Sequence, residues 1–373
     1  MKEAWKKRGR TWALIALCSL GLHYLMLVIA SMMMSGGFSL EAIGNLLISR
    51  WTEPGDATRY LDLAINGFVT EGENAINLVF YPLYPLFMRW IGALTGLTAA
   101  GMIVSQVSYA AASVLLYELI LLDGDERSAW DGVLLLALYP FSMFVMGIFT
   151  EGLFLLLTIG CLYALRKRCF IWAGCVGFLA ALTRTQGMLL IFPAVYELVS
   201  LRWGPARRGF RWGDLCVLLI PAGFGVYLGI NCALYGNCTQ FLVFEADAPW
   251  WQTTQWIGSN ITQQYQLAHE YDGLSWVIYW PQIILYFAAL AVLLLGLWQK
   301  ERMSLLLYGG AYLGFTYLSG WMISGGRYML CCAPLFVILA KVKSDGARRL
   351  LLMGFAFLFV TYSYFYLLGY AIM

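Results

Sequence analysis

Apolar residues run along this chain in long stretches, near 11–34, 99–122, 132–148, 152–165, 169–182, 187–201, 214–235, 274–298, 303–323, 328–341 and 350–371, each closed by charged or turn-forming residues. A helix that crosses a bilayer needs roughly 20 apolar residues. The runs therefore predict an all-α polytopic membrane protein, a bundle of about eleven transmembrane helices. Several of the middle runs hold only about 14 to 17 residues, the length expected of helices that end below the membrane surface around a crater. The first run, from about Trp12 to Met34, follows a basic start in the manner of a signal peptide. It is longer than such a peptide's apolar region and lacks a cleavage site, so it is expected to be a membrane anchor.

The segments between the runs differ in charge. Lys6 to Arg10, Arg166-Lys167-Arg168, Arg202 to Arg211, Lys300 to Arg302 and Lys341 to Arg349 are basic, and basic loops belong on the cytoplasmic side. The N-terminus is then cytoplasmic, and residues 35–98, 149–151, 183–186, 236–273 and 324–327 face outward. Residues 123–131 (DGDERSAWD) fall on the cytoplasmic side by count although they are mostly acidic, which is tolerable because acids contribute weakly to orientation. Without an inverted repeat or a low-complexity linker, residues 1–373 form one integral membrane domain. Its two long outward segments are a first external loop, 35–98, expected to carry interfacial helices, and a second, 236–273. In a bacterium the location is the plasma membrane.

Composition agrees with the pattern: 61% of residues are hydrophobic and 12% charged, too few polar side chains to cover a water-soluble globule of this size. Membrane lipids are thus partners, and nothing in a net charge of +3 points to nucleic acid. Of nine cysteines, Cys18, Cys161, Cys175, Cys216, Cys331 and Cys332 lie in apolar runs, and none has metal-site spacing. They are read as small hydrophobes. Two histidines, His23 and His269, exclude a His-rich metal site, whereas Asp and Glu oxygens remain compatible with a divalent ion.

Candidate chemistry collects in the outward segments. The first external loop reads RWTEPGDATRYLDLAINGF and holds Glu53, Asp56, Arg59, Tyr60 and Asp62 around a Pro-Gly turn. Asp56 to Gly67 is expected to form an amphipathic helix with Tyr60, Leu61, Ala64 and Phe68 on its apolar side, and Asp56 at its start is either a helix cap or a catalytic acid. In FYPLYPLFMRW, Pro82 and Pro85 are expected to break any helix, leaving an interfacial elbow. Glu151 lies between Phe149 and Leu153, where an acid is costly unless it meets water, a cation or a ligand. Arg184 in LTRTQG and Arg327 in SGGRYML sit at turns between apolar runs. Each either grips a phosphate or pairs with Glu151 or Asp56 inside the protein. The second loop carries Glu245, Asp247, Trp250, Trp251, Trp256 and His269; tryptophans beside acids hold sugar rings, and they also form interfacial aromatic belts. An external carboxylate, two arginines and an aromatic loop suit an enzyme that moves a sugar from an anionic, lipid-linked donor, Asp56 acting as base and the arginines holding the phosphate. The other class that fits is a transporter or flippase of a lipid-linked sugar, in which Glu151, Arg184 and Arg327 bind cargo and no bond breaks.

In their order along the chain these motifs resemble the PIG-V family, the second mannosyltransferase of glycosylphosphatidylinositol synthesis, and its bacterial relatives. The likeness rests on Trp51, Asp56, Tyr60, Leu61, Ala64, Gly67 and Phe68, then Phe80 to Leu86, Tyr139 to Phe144, Thr150 to Gly152, Leu182 to Gly187 and Gly326 to Tyr328. It implies a GT-C-like bundle and an inverting mannosyltransferase that uses a polyprenyl-phosphate sugar donor and a lipid or glycan acceptor, with no organic cofactor. By position Asp56 inherits the role of base; Glu53, Tyr60, Glu151, Arg184, Gln186, Trp251, Arg327 and Tyr328 are expected to bind substrate. Three departures stand out. Family members place the aspartate directly after the tryptophan, whereas Thr52 to Gly55 intervene here and make Glu53 a rival acid. Arg184-Thr185-Gln186-Gly187 replaces an Arg-Ser-Asn-Gly string, and the late loop offers Glu245 and Trp251 in place of a glutamine or histidine.

Overall fold

The structure is a computed structural model that describes residues 2–53, 55–203, 208–209, 211–320, 323–370 and 372. Pro54 of the Pro-Gly turn, and residues 204–207 and 210 of the basic segment, lie outside the described residues. The described residues are mostly helical, with turns and irregular links and one isolated antiparallel bridge, Thr254 with Ser319, among them. The first half runs α1 (Lys2–Ser35), α2 (Leu40–Trp51), α3 (Asp56–Asn66), α4 (Leu83–Thr95), α5 (Leu97–Ile120), α6 (Glu126–Ala137), α7 (Glu151–Arg166), α8 (Phe170–Ala181) and α9 (Ile191–Trp203). The second half runs α10 (Leu219–Tyr235), α11 (Gln240–Ala246), α12 (Ile257–Glu270), α13 (Asp272–Leu274), α14 (Trp280–Trp298), α15 (Met303–Thr316), α16 (Gly325–Leu330), α17 (Ala333–Ala340) and α18 (Asp345–Leu368). Short 3-10 turns at Glu73–Val79, Ser142–Met146, Thr185–Leu190 and Trp212–Leu218 join them.

Among the described residues five helical stretches are long and apolar enough to cross a membrane: Lys6–Ser35, Leu97–Ile120, Trp212–Tyr235, Ser275–Trp298 and Asp345–Leu368. The expected count of about eleven is not reproduced as eleven full-length helices. α7, α8, α9 and α15 follow their apolar runs but stop after 16, 12, 13 and 14 residues. Two runs are broken. Residues 132–148 leave the helix at Ala137, because Tyr139 precedes Pro140 and is biased out of the helical region, and continue as the Ser142–Met146 turn. Residues 328–341 divide between α16 and α17, whose first turn takes Pro334, where a missing N–H costs nothing.

The region 35–98 folds as α2, α3, the Glu73–Val79 turn and α4. Ser39 caps α2 by accepting from the Ala42 N–H. α3 buries Ala57, Tyr60, Leu63 and Ala64 and stops at Gly67, whose φ of 70° favours glycine. The expectation that Pro82 and Pro85 break any helix is corrected: Pro82 is the residue before α4 and Pro85 lies in its first turn, where the N–H would be unpaired anyway. The cysteine expectation is corrected too. Cys232 and Cys238 form a disulfide that ties the end of α10 to the chain entering α11.

α5 lies at the centre, against α4, α6, α7 and α1. The approach to α7 is close because Gly152 offers no Cβ; one there would collide with the Ser105 carbonyl. The basic segments share one face, held by ion pairs of Arg8 with Glu118, Arg166 with Asp123, Arg348 with Asp131, Arg302 with Glu197 and Lys341 with Glu301. α7 ends on that face at Arg166 and begins at Glu151, so Glu151 stands about 24 Å away along the helix axis.

Candidate functional site

At the Glu151 end, four segments far apart in sequence bring their charges together. Asp56 opens α3 directly after Gly55, which has a φ of 55°. The carbonyl of Trp51 accepts from the N–H of Ile148 at 2.8 Å, joining the end of α2 to the segment that leads into Glu151. Arg184 lies between α8 and the Thr185–Leu190 turn, and Arg327 is the third residue of α16.

The charges form a continuous chain. Arg327 donates through Nη1 to Asp56 Oδ2 at 2.7 Å and through Nε to Glu151 Oε1. Arg184 Nη1 donates to the same Glu151 oxygen at 3.1 Å. Glu151 is fully buried, both arginine side chains are 11% exposed, and Asp56, at 24%, is the most open member. Two carboxylates and two guanidinium groups cancel, which lets the cluster exist at such burial. It is not saturated, because Glu151 Oε2 is buried without a hydrogen-bond partner. Aromatic faces complete the arginines' surroundings: Arg327 stands 4.6 Å from the Phe149 ring centre and 5.1 Å from that of Phe144, and Arg184 4.8 Å from that of Tyr328.

The two meanings open for the arginines resolve in part. Both pair with Glu151 inside the protein, and Arg327 pairs with Asp56 as well. Among the described residues Arg184 donates through Nη1 to Glu151 and, at longer range, to the Cys331 sulfur.

The remaining site candidates divide. Tyr60 is buried beside the cluster, edge-on to Phe80 and Tyr84, and burial followed by the Asp56 charge raises its phenol. Tyr328 lies under Arg184. Gln186 is half-buried on the Thr185–Leu190 turn and is not part of the ion-pair chain. Glu53 is exposed and likewise outside it, so of the two rival acids the geometry joins Asp56 alone to the arginines. Trp251 is 57% exposed, and the neighbouring Trp250 is the tryptophan that packs inward, 5.5 Å from Phe80. Among the described residues no three His, Cys, Asp and Glu side chains converge as a metal site would require.

Several residues to which the sequence reading assigned no catalytic or binding role shape this end of the molecule, Asp62 of the first loop among them. Tyr81 shares a 2.7 Å hydrogen bond with Thr185, next to Arg184, and stacks on Tyr227 at 4.1 Å. Asp62 is clasped by Asn66, Asn74 and Asn77, which pins the Glu73–Val79 turn to α3. The Cys232–Cys238 pair had a readable signal, two cysteines bracketing the start of the long second loop.

No protein-family model and no curated protein matches the chain. A solved structure does: the crystal structure of ArnT from Cupriavidus metallidurans bound to undecaprenyl phosphate superposes with a TM-score of 0.57 at 14% sequence identity, over 91% of this chain. The chain shares the fold of this ArnT structure. It spans 62% of the length of the ArnT chain. At this identity the likeness concerns the fold of a multi-pass membrane protein alone, and the PIG-V resemblance rests on the sequence motifs.

Proposed function

We propose that this protein is a membrane glycosyltransferase that moves a sugar, mannose by the motif resemblance, from a polyprenyl-phosphate donor to a lipid or glycan acceptor. The observation that carries the reading is the pairing of the partly open Asp56 with Arg327, itself coupled through Glu151 to Arg184. A base and two phosphate-binding cations are what such a transfer requires. ArnT, captured with undecaprenyl phosphate, supports a polyprenyl-linked donor.

In the reaction the acceptor hydroxyl oxygen attacks the anomeric carbon while Asp56 takes its proton. The bond from that carbon to the phosphate oxygen breaks, and its electron pair leaves on polyprenyl phosphate, whose growing charge Arg184 and Arg327 stabilise. Attack opposite the leaving group inverts the anomeric centre. Arg327 touches the base in the resting cluster, so it can respond to both ends of the reaction: turning toward the phosphate loosens its hold on Asp56 and frees that carboxylate for the acceptor hydroxyl.

The site faces outward in this reading, with the basic loops and the N-terminus cytoplasmic. The Cys232–Cys238 disulfide supports that sidedness, since disulfides persist in oxidising compartments. Purified protein in sealed liposomes with polyprenyl-phosphate [3H]mannose and a membrane lipid extract separates the two functional classes. The expected result is label transferred to the extract. Label that crosses the bilayer still attached to its polyprenyl phosphate, with none transferred, would instead identify a flippase.

A further inference from the structure

Beside the ion-pair cluster lies a second polar region that the reaction above does not use. α11 is fastened over the first loop by the Cys232–Cys238 disulfide and by Asn231 of α10, which is fully buried and accepts from the Phe241 N–H at 2.9 Å. This anchoring lays α11 against the Glu73–Val79 turn and sets Glu245, near its end, half-buried beside the stacked rings of Tyr81 and Tyr227. Trp250, five residues on, packs on Phe80, and its indole Nε1 is buried with no acceptor among the described residues.

Glu245 has been carried into an apolar setting and, among the described residues, forms no ion pair with a cation. α10, α11 and the Glu73–Val79 turn contain no lysine or arginine; the titratable groups on these elements are Glu73, Tyr227 and Tyr235, joined by Tyr81. Burial alone pushes its carboxyl up to about 7. An acceptor of hydrogen bonds near Tyr81 and a buried donor packed on Phe80 are thus held among aromatic faces. A sugar ring answers both needs, because its hydroxyls donate as well as accept while its C–H faces pack on aromatic rings. An ammonium could pair with Glu245 but could not accept from Trp250.

We infer that Glu245 and Trp250 form a subsite for the hydroxylated ring of the acceptor, Glu245 accepting from one hydroxyl and the Trp250 indole donating to another. The inference rests on the glycosyltransferase reading. The subsite is contiguous with the reacting centre on two sides, through Tyr81 to Thr185 next to Arg184 and through Phe80 to Tyr60. An acceptor ring seated there borders both the base and the phosphate-binding residues.

The test is steady-state transfer from polyprenyl-phosphate [3H]mannose to a membrane lipid extract of varied concentration, with wild type, Glu245→Gln and Trp250→Phe. Each variant is expected to raise the apparent acceptor KM by about ten-fold, the cost of one hydrogen bond to a buried polar group, with donor KM and the unfolding midpoint unchanged. Acceptor KM of the wild type should fall as pH rises from 6 to 8 through about 7, because the ionised carboxyl accepts the stronger bond, and the Glu245→Gln profile should be flat. A loss of stability with KM unaltered, or a change in donor KM alone, overturns the subsite. Absence of transfer by the wild type overturns the glycosyltransferase reading and the subsite with it, an outcome distinct from wild-type transfer that the variants leave unchanged.

Discussion

Glu151 is the residue through which the charges are coupled: one oxygen receives both arginines and the other receives nothing. Taking away either cation therefore exposes a buried carboxylate to an apolar interior. Arg327→Ala, which also strips Asp56 of its partner, should lower stability by about 3–5 kcal/mol, read as a fall in the thermal unfolding midpoint in detergent. An unchanged midpoint would mean that the cluster is not a structural element. Arg184 allows a cleaner test of binding, since lysine keeps the charge toward Glu151 and loses the planar fork. Arg184→Lys is expected to weaken polyprenyl-phosphate binding by about ten-fold at nearly constant stability, measured by equilibrium binding in nanodiscs. Undiminished affinity would remove Arg184 from the phosphate site.

The helices succeed where apolar periodicity and length are uninterrupted, as in α1, α5, α14 and α18, which the apolar runs delimit to within a few residues, apart from the N-terminal extension of α1. They depart from expectation where single residues outweigh the average. Pro140 ends one run, Pro334 restarts another, and Pro85 is absorbed into the first turn of α4 because a helix start tolerates it. The site is similarly divided. Glu151, Arg184 and Arg327 stand out in the sequence because charges amid apolar runs are costly, and Asp56 because it opens a helix after a Pro-Gly turn. Their mutual pairing, and the inward packing of Trp250 in preference to Trp251, depend on how distant segments meet, which no local pattern encodes. Close helix contact supplies a test at this scale. Gly152→Ala should push α7 off the Ser105 carbonyl of α5 and cost about 1–3 kcal/mol, seen as a lower unfolding midpoint; a neutral substitution would show that this interface adapts.

Across the whole molecule, ion pairs bind the basic loops into one face while a neutral cluster of four charges occupies the other end of α7. This polarity fits an enzyme that meets lipid-linked substrates on one side of the bilayer and follows the positive-inside rule on the other. Cys169 is exposed in the basic segment after α7, so in intact cells it should resist a membrane-impermeant maleimide and react once the membrane is opened. Labelling of intact cells would reverse the assigned orientation. The central claim is that Asp56 is the base of a sugar transfer, and it is tested most directly by comparing wild type, Asp56→Asn and Glu53→Gln in transfer of [3H]mannose from polyprenyl-phosphate mannose to membrane acceptors. The expected result is product with wild type and Glu53→Gln and a loss of at least about a hundred-fold with Asp56→Asn. Full transfer by Asp56→Asn, with loss in Glu53→Gln, would contradict it.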